Sequence, residues 1–281
     1  LKQLFLKRCC LTQDVIKTIP EFESLEILNL SFNDKITSLE FLERMPRLKD
    51  LDLSYCDSKQ GTVETIPELK ELQILNLYGR INDNVIPLTS LKFLKRMPKL
   101  IYLNLGLRDL DECATETIPE IKELLSLFLT ENMNITSLKF LERMPKLKML
   151  SLKSCNITTE ILKTLPVMPH VEVICLDYNK TLTFIDYLNE KMPKLRILLI
   201  SHCDIIEEHV KNMPVFHSVE ELYLQNNKHA ISVDCLNEKF PNLKKINIDN
   251  NTYISCNKFP LLECINEKKF VRLNDEYYGM I

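Results

Sequence analysis

Cysteine and histidine are the residue types with the widest chemistry in this sequence, with 10 and 5 copies respectively. The two types are adjacent once, at His202 and Cys203. A nucleophile and its base must face each other, whereas neighbouring residues of a strand point to opposite sides. No Cys-x-x-Cys spacing occurs, although that spacing is typical of zinc sites. The sequence therefore predicts no catalytic residue, no metal site and no cofactor.

Composition narrows the function classes further. With only 4 glycines, the chain contains neither the GxGxxG nor the GxxxxGK[ST] loop that holds phosphate groups. A net charge of −3 and a pI near 6.1 favour neither nucleic acid nor an anionic membrane as partner. The chain is 45% hydrophobic and 27% charged, which is typical of a folded protein. No apolar run reaches the ~18 residues of a membrane span.

A repeat organises the 281 residues. The pattern Leu-x-x-Leu-x-Leu recurs with small substitutions, at intervals of 23 or 24 residues and once of 28. Two stretches, ITSLEFLERMPRLKDLDLSYC and ITSLKFLERMPKLKMLSLKSC, agree at 15 of 21 positions. Such regularity predicts one array rather than two domains. Eleven copies open at Leu1, Leu25, Leu48, Leu72, Leu100, Leu124, Leu147, Val171, Leu195, Val219 and Leu243.

The repeated segments resemble the leucine-rich repeat family, whose consensus is LxxLxLxxN/CxL. Here the motif is written LEILNLSFNDKI, LSLFLTENMNI, VEVICLDYNKTL and VEELYLQNNKHAI. The second half of the repeat, as in ITSLEFLERMP, is similar to the intracellular SDS22-like type. Cysteine at the consensus asparagine in alternate repeats resembles the cysteine-containing type of F-box proteins. The resemblance implies a protein-binding solenoid used in regulatory subunits and assembly scaffolds.

Packing arguments lead to the same architecture. Each copy has three inward leucines and then an apolar stretch such as Ile36 to Met45, so it cannot cover its own core unless copies stack. We predict an α/β solenoid, a leucine-rich repeat horseshoe with a parallel β-sheet on the concave face and short helical or 3₁₀ segments on the convex face. Residues 1–251 form the eleven repeats, and 252–281 a degenerate last repeat, with a strand through Val271 and Leu273, and a C-terminal cap. Because nothing precedes Leu1 to cover the first coil, we expect a capping segment, domain or partner there.

The consensus turn position, the ninth of each copy, alternates between cysteine and asparagine except at the centre. A buried asparagine can satisfy backbone groups of adjacent turns, and cysteine fills the same space, so we predict a structural ladder. Cysteines two coils apart are separated by about 9.6 Å, beyond the ~7 Å limit of a disulfide. Free thiols and the absence of a legible disulfide cap predict a reducing, intracellular compartment. The predicted ladder is Cys9, Asn33, Cys56, Asn132, Cys155, Asn179, Cys203, Asn227 and Asn251.

Charges of alternating sign precede consecutive opening leucines, at Arg47, Glu71, Lys99, Glu123 and Lys146. At one strand spacing these residues form an exposed ladder worth about 0.2–1 kcal/mol per pair. A solvated edge and a charged docking rail are both open as interpretations.

The variable positions around each strand are the candidate binding surface, because side chains alternate along a strand and the leucines take the inward sites. Eight of the 21 aromatic residues fall there, about twice the number expected by chance. Exposed aromatics on a rigid sheet are typical of protein-binding hot spots, although rings can also pack on their neighbours in the next coil. The formal charge over these positions sums to zero, whereas a groove that tracks phosphates is positive.

Repeats 4 and 5 break the rules of the array. Repeat 4 has 28 residues, both turn positions hold arginine, and Gly79 and Gly106 lie beside them. Such departures are expected at functional sites. We predict a central site in which an apolar patch is bordered by the 80–90 loop and an arginine. The predicted partner-binding residues over the whole face are Phe32, Tyr55, Ile74, Tyr78, Ile101, Tyr102, Leu107, Phe128, Tyr178, Tyr223, Arg80 and Arg108.

The leading functional hypothesis is a non-enzymatic scaffold or regulatory subunit that binds another protein on its concave face. One alternative is the recognition domain of a larger receptor or of an F-box-like ubiquitin ligase adaptor. Another is a ribonucleoprotein-associated factor, the one context in which nucleic acid is expected nearby. No membrane partner is expected, and the sequence leaves the identity of the partner and the oligomeric state open.

Overall fold

The computed structural model describes residues 1–56, 59–79, 87–182, 184–227, 231–248 and the strand at 263–264. Within that part, twelve parallel strands form one sheet in which every strand pairs with its neighbours in sequence order. This arrangement confirms the predicted solenoid. The strands are β1 Gln3–Phe5, β2 Ile27–Asn29, β3 Asp50–Asp52, β4 Ile74–Asn76, β5 Tyr102–Asn104, β6 Ser126–Phe128, β7 Met149–Ser151, β8 Val173–Cys175, β9 Ile197–Leu199, β10 Glu221–Tyr223, β11 Lys245–Asn247 and β12 Glu263–Cys264.

Each strand covers positions three to five of its repeat, counted from the opening leucine. The fourth position points inward, as at Leu28, Leu127 and Leu150, which are fully buried. The third and fifth positions point to the concave face, and most are half-buried. The register is constant, since the third position of one strand faces the third position of the next along the array.

Short helices cover the convex side, as predicted. In the first seven coils, α-helices and 3₁₀ helices alternate. Threonine or aspartate caps several α-helices, for example Thr158, whose Oγ1 accepts a hydrogen bond from the Ile161 amide. The α-helices are α1 Gln13–Lys17, α2 Gln60–Glu64, α3 Glu112–Glu116, α4 Thr159–Lys163, α5 Tyr187–Lys191, α6 Glu207–Asn212 and α7 Val233–Lys239, and the 3₁₀ helices are Glu40–Arg44, Lys92–Arg96 and Lys139–Arg143.

The 3₁₀ coils are tied to both neighbours by side chains that recur in sequence. Arg44 Nη1 donates to the carbonyls of Lys17 and Ile19 in the preceding coil, at 3.1 and 2.7 Å. The Leu39 amide donates to Thr65 Oγ1 of the following coil at 2.7 Å. Equivalent bonds form at Arg96, Arg143, Thr117 and Thr164. These bonds recur at every second coil, where the 3₁₀ helices lie. The structural unit in this part of the array is therefore a pair of coils.

The turn after each strand carries the asparagine ladder. Asn132 Nδ2 donates to the carbonyls of Leu105 and Leu129, at 2.9 and 2.8 Å. Its Oδ1 accepts from the amides of Arg108 and Leu110, at 3.2 and 2.9 Å. One buried amide group thus satisfies four backbone groups in two coils. Corresponding bonds are made by Asn33, Asn179 and Asn227, whereas Asn251 lies outside the described residues.

Cysteine makes a smaller contribution at the alternate turns. Cys155 Sγ donates to the Leu129 carbonyl at 3.0 Å, and Cys56 and Cys203 make the same contact with their preceding coils. Burial raises the pKa of the Cys155 thiol to about 12. Cys9, in the first coil, is exposed.

The end of the array differs in part from the sequence-based expectation. The described twelfth strand lies at Glu263–Cys264, where it pairs in parallel with β11. The expected strand through Val271 and Leu273 lies outside the described residues, as does most of the expected cap. The boundary at 251 between repeats and cap stays a prediction.

The ladder leads to a prediction about stability. Asn132→Ala removes four hydrogen bonds and leaves buried backbone groups unsatisfied, so we expect a loss of about 3 kcal/mol or more in the free energy of unfolding. Cys155→Ala removes one weak bond and little volume, and should cost about 1–2 kcal/mol. Urea unfolding followed by circular dichroism measures both. Equal losses for the two variants would contradict the unequal roles of asparagine and cysteine.

Thiol reactivity tests the same burial. Cys9, Cys10 and Cys113 are exposed, whereas burial raises the pKa of Cys56 to about 11 and of Cys203 to about 12. Because the thiolate is the reactive form, we expect iodoacetamide at pH 8 to label the buried thiols at least about 100-fold more slowly. Peptide mapping by mass spectrometry measures each site, and labelling after denaturation is the control. Rapid labelling of Cys56 in the folded protein would contradict a closed ladder.

Candidate partner-binding surface

The concave face is a set of columns that run across the strands. Positions three and five of each strand form two central columns, and positions seven and eight, in the turn, form the edge where the strands end. The sheet hydrogen bonds continue into this turn. For example, the Phe32 amide donates to the Ser54 carbonyl at 3.0 Å, and the Tyr55 amide donates to the Tyr78 carbonyl at 2.8 Å. The face is therefore ordered as far as this edge.

Position eight has a positive, left-handed φ in nine of the described coils, and none of these nine residues is glycine. Position eight of repeat 4 is Gly79, whose φ is not positive. Phe32 has a φ of 61°, Tyr55 of 57° and Tyr178 of 63°. This conformation costs an L-residue about 1–2 kcal/mol, which the hydrogen bonds of the turn offset. It turns the backbone so that position nine points into the ladder while the ring at position eight stays at the edge of the concave face.

Rings at this edge stack from coil to coil. Phe32 and Tyr55 are parallel with centroids 4.3 Å apart, and the Tyr55 and Tyr78 centroids are 5.4 Å apart. The Arg8 guanidinium lies 4.4 Å from the Phe32 centroid. These contacts match the alternative in which aromatics pack on neighbouring coils. Phe32 and Tyr55 are nevertheless half-buried rather than buried, so part of each side chain remains accessible to a partner.

A second group of rings lies near the other end of the array. Tyr178 is 44% exposed and stacks on His202, with centroids 4.1 Å apart. Lys153 Nζ lies 5.4 Å from the Tyr178 centroid. His202 Nε2 is 3.0 Å from Asn226 Nδ2. Tyr178 is the most exposed ring among the predicted binding residues.

The adjacent His202 and Cys203 do not form a nucleophilic pair. The imidazole lies at the edge with Tyr178, whereas Cys203 is buried and its Sγ donates to the Leu176 carbonyl at 3.2 Å. Burial also raises the pKa of the Cys203 thiol to about 12, which disfavours the reactive thiolate. The described residues contain no group of three or more potential metal ligands.

Several predicted residues are less exposed than expected. Tyr78 is 7% exposed, Tyr102 5%, Leu107 8% and Tyr223 8%. The ring of Tyr78 occupies the space above Gly106, where a Cβ would lie 2.6 Å from the ring. The expectation of solvent-facing aromatics is therefore wrong for the three tyrosines, because glycine in the next coil lets Tyr78 fold down, Tyr102 packs on Phe128 and Tyr223 bonds to Glu221.

Arg108 does not border an open site. It is 3% exposed, and its Nε donates to the Leu77 carbonyl of the preceding coil. Cys56 makes the corresponding contact with the Leu30 carbonyl at 3.2 Å, so the arginine takes a place in the ladder. The prediction that Arg108 lies at the rim of a central site is wrong, because the backbone of the preceding coil supplies an acceptor for its buried guanidinium. Arg80 and most of the 80–90 loop lie outside the described residues.

An apolar column occupies the third position of consecutive strands. Its first residue, Ile74, is half-buried, and so are Ile101 in position two and Phe128 in position five, as expected of accessible binding residues. The column continues beyond the predicted central patch through Met149, Val173 and Ile197, which the sequence reasoning missed. Counting the third position separately from the other variable positions would have found it. The apolar column is Ile74, Tyr102, Ser126, Met149, Val173 and Ile197, in which the buried Ser126 is the one residue without an apolar side chain.

Ion pairs line the edge where the strands begin. The predicted residues form separate pairs, with Glu71–Lys99 and Glu123–Lys146 each at 2.7 Å. A longer ladder runs along position two at both ends of the array, for example from Arg196 to Glu220 at 3.1 Å. Between these ends, position two holds the uncharged Gln73, Ile101 and Leu125. The apolar surface therefore widens toward this edge in the central coils.

The strand next to the apolar column carries two carboxylates in different environments. Asp52 Oδ2 accepts from Asn29 Nδ2 at 2.8 Å, and its Oδ1 accepts from the Ser54 amide at 2.9 Å. In the described part of the chain, the Asp50 carboxylate has no hydrogen bond and no ion pair. Its register partners on the neighbouring strands are Ile27 and Ile74. Burial, and secondarily the charge of Asp52, raise the pKa of Asp50 to about 6.

Comparison with solved structures agrees with this fold. A crystal structure of TLR13 in complex with ssRNA13 superposes with a TM-score of 0.58 at 19% sequence identity. The alignment covers 83% of this chain and 37% of that receptor chain, so this chain spans well under half of its length. No protein-family model and no curated protein matches the sequence.

The fold is a leucine-rich-repeat solenoid, and the repeat, the sheet and the structural neighbour agree on it. Within that class, folds of this kind serve as binding scaffolds for proteins or other ligands. Among the described residues, no helix has the length and apolar character needed to cross a membrane.

The isolated carboxylate leads to a prediction about how stability depends on pH. Between about pH 4 and pH 6, folded Asp50 holds more protons than unfolded Asp50, so the free energy of unfolding falls as the pH rises through this window. Above it, the unpaired charge destabilises the fold, and we expect Asp50→Asn to stabilise the protein by about 1–2 kcal/mol at pH 7.5. The gain should vanish near pH 4. Urea unfolding at both pH values measures it, with the exposed Asp14→Asn as control, and a loss at pH 7.5 would contradict the assignment.

Proposed function

We propose that this chain is a non-enzymatic interaction scaffold or regulatory subunit that binds a protein partner on its concave face. The observation that carries the proposal is the apolar column, an uncharged row across six adjacent strands. Four of its residues, Ile74, Met149, Val173 and Ile197, are half-buried, and the two between them, Tyr102 and Ser126, are buried. Solvent-facing apolar surface on a preordered sheet favours binding, because little conformational entropy is lost on association. The half-buried Phe128 in position five widens this surface, and the half-buried Phe32 and Tyr55 and the exposed Tyr178 extend it along the edge where the strands end.

The remaining finer assignments belong to the same proposal. The repeats are of the SDS22-like type, alternating with a cysteine-containing type, and form one array over residues 1–251 with a terminal repeat and cap over 252–281. The free thiols, eight of which are in the described residues, support a reducing intracellular compartment. The ladder contacts of Cys56, Cys155 and Cys203 support a structural role for those thiols.

A second candidate is the recognition region of a larger receptor. The structural neighbour favours this candidate, because the alignment covers 37% of that longer chain. The structure of that neighbour contains ssRNA13, but the formal charge of zero on the concave positions here disfavours a nucleic-acid backbone as ligand. A protein partner therefore remains the leading proposal.

A matched pair of variants tests the proposal. Val173→Asp places a charge in the apolar column, whereas Val167→Asp places it on an exposed site between α4 and β8. Affinity purification from cell extract under reducing conditions, with quantitative mass spectrometry, should recover a partner with wild type and Val167→Asp. We expect recovery with Val173→Asp to fall about ten-fold or more, as for a hot-spot residue. Equal recovery with both variants would place the binding surface elsewhere.

A further inference from the structure

The sheet itself limits the form of a partner segment. Each interior strand from β2 to β11 is hydrogen-bonded on both sides, so it offers no free backbone groups to an added strand. A partner on this face must therefore supply side chains while satisfying its own backbone. An amphipathic helix does both, because its backbone hydrogen bonds are internal and its apolar stripe can lie in a groove.

The dimensions of the apolar column fit such a helix. The column crosses six strands, from Ile74 in β4 to Ile197 in β9, which is five strand spacings or about 24 Å. An α-helix rises 1.5 Å per residue, so about 16 residues span this distance. At the far end, Glu221 is 3.3 Å from Lys245 Nζ and accepts from the Tyr223 hydroxyl at 3.1 Å, so its charge is already compensated.

An uncompensated charge lies on β3, the strand next to the near end of the column. Asp50 faces the concave side between Ile27 and Ile74, whereas the nearby Asp52 is held by Asn29 and Ser54. It is the only charged residue in the third position between Ile27 and Ile197. A cation brought by a partner would compensate it in surroundings of low polarity, where an ion pair is stronger than in water.

We propose that the concave face binds an amphipathic helix of about 16 residues, whose apolar stripe lies on the apolar column and whose terminal turn places a Lys or Arg on Asp50. The inference rests on the proposed function and makes it more specific, because it defines the secondary structure and charge pattern of the partner. Repulsion from Asp50 and Asp52 disfavours a segment that places an acidic residue at this end of the column.

Selection from a display library of 18-residue helical peptides tests the proposal without knowledge of the partner. With wild type as bait, we expect enriched peptides to combine an apolar stripe with a Lys or Arg in one terminal turn. With Asp50→Asn as bait, the stripe should persist and the cation should lose its enrichment. The Asp14→Asn bait, changed at an exposed convex position, is the matched control and should select the cation.

An enriched cationic peptide then serves as the probe for affinity measurements. We expect Asp50→Asn to weaken its binding about ten-fold or more, and replacement of the peptide cation by Gln to remove this difference. Wild-type affinity should fall as the pH drops through about 6 and below, and the affinity of Asp50→Asn should stay constant. Apart from Asp52 on the same strand, the residues facing Asp50 are Ile27 and Asn29 on β2 and Ile74 and Asn76 on β4, none of which titrates.

The outcomes separate the two proposals. Peptides that require Val173 but show no cation preference, or that bind Asp50→Asn as tightly as wild type, overturn the helix-and-cation inference alone. If Val173→Asp does not weaken the binding of the enriched peptides, or if the library contains no binder to the concave face, the proposed function is overturned as well. Misfolding would not explain weaker binding by Asp50→Asn, because this variant is expected to be at least as stable as wild type at neutral pH.

Discussion

The fold depends on hydrogen bonds that one side chain per coil makes in the turn after each strand. The chain must turn there with its amides and carbonyls facing a dry interior, where an unsatisfied backbone group costs about 1–3 kcal/mol. Asn132, Asn179 and Asn227 satisfy groups of two coils at once, because a carboxamide has both donors and an acceptor. Each turn is therefore complete only when its neighbour is present. This requirement, together with leucine burial, holds the array as one continuous stack.

Pairs of coils share this work. Asparagine bridges in the second, sixth, eighth and tenth coils, and cysteine fills the turn in the third, seventh and ninth. Through the first seven coils, α-helical and 3₁₀ coils also alternate. Arg108 lies in an odd coil and donates to the preceding coil as cysteine does, although it is a much longer and charged residue. Its burial shows that the ladder tolerates different chemistry as long as the carbonyl of the preceding coil receives a donor.

The periodic part of the structure could be predicted from the sequence, and the exposure of single residues could not. Leucines at fixed intervals require stacked coils, so the parallel sheet, the position of the core and the turn positions follow from spacing alone. The burial of Tyr78 depends on Gly106 in the next coil, and that of Arg108 on a carbonyl 31 residues earlier. Contacts of this kind depend on the register between coils. The apolar column was missed for a related reason, because pooling five variable positions hid the one whose side chains lie at the centre of the face.

A sheet whose interior backbone is fully paired can recognise a partner only through its columns of side chains. Several charges on and beside this face are compensated within the array, as in the Lys245–Glu221 pair, in the Arg196–Glu220 pair at its edge and in the hydrogen bonds to Asp52. Charges that are already paired within the array attract an oppositely charged partner only weakly. The surface features that remain include apolar side chains, the accessible parts of the stacked rings and the carboxylate of Asp50. Because the ladder stabilises each coil independently of the concave side chains, the fold can retain one unfavourable charge at the site where a partner would gain most from neutralising it.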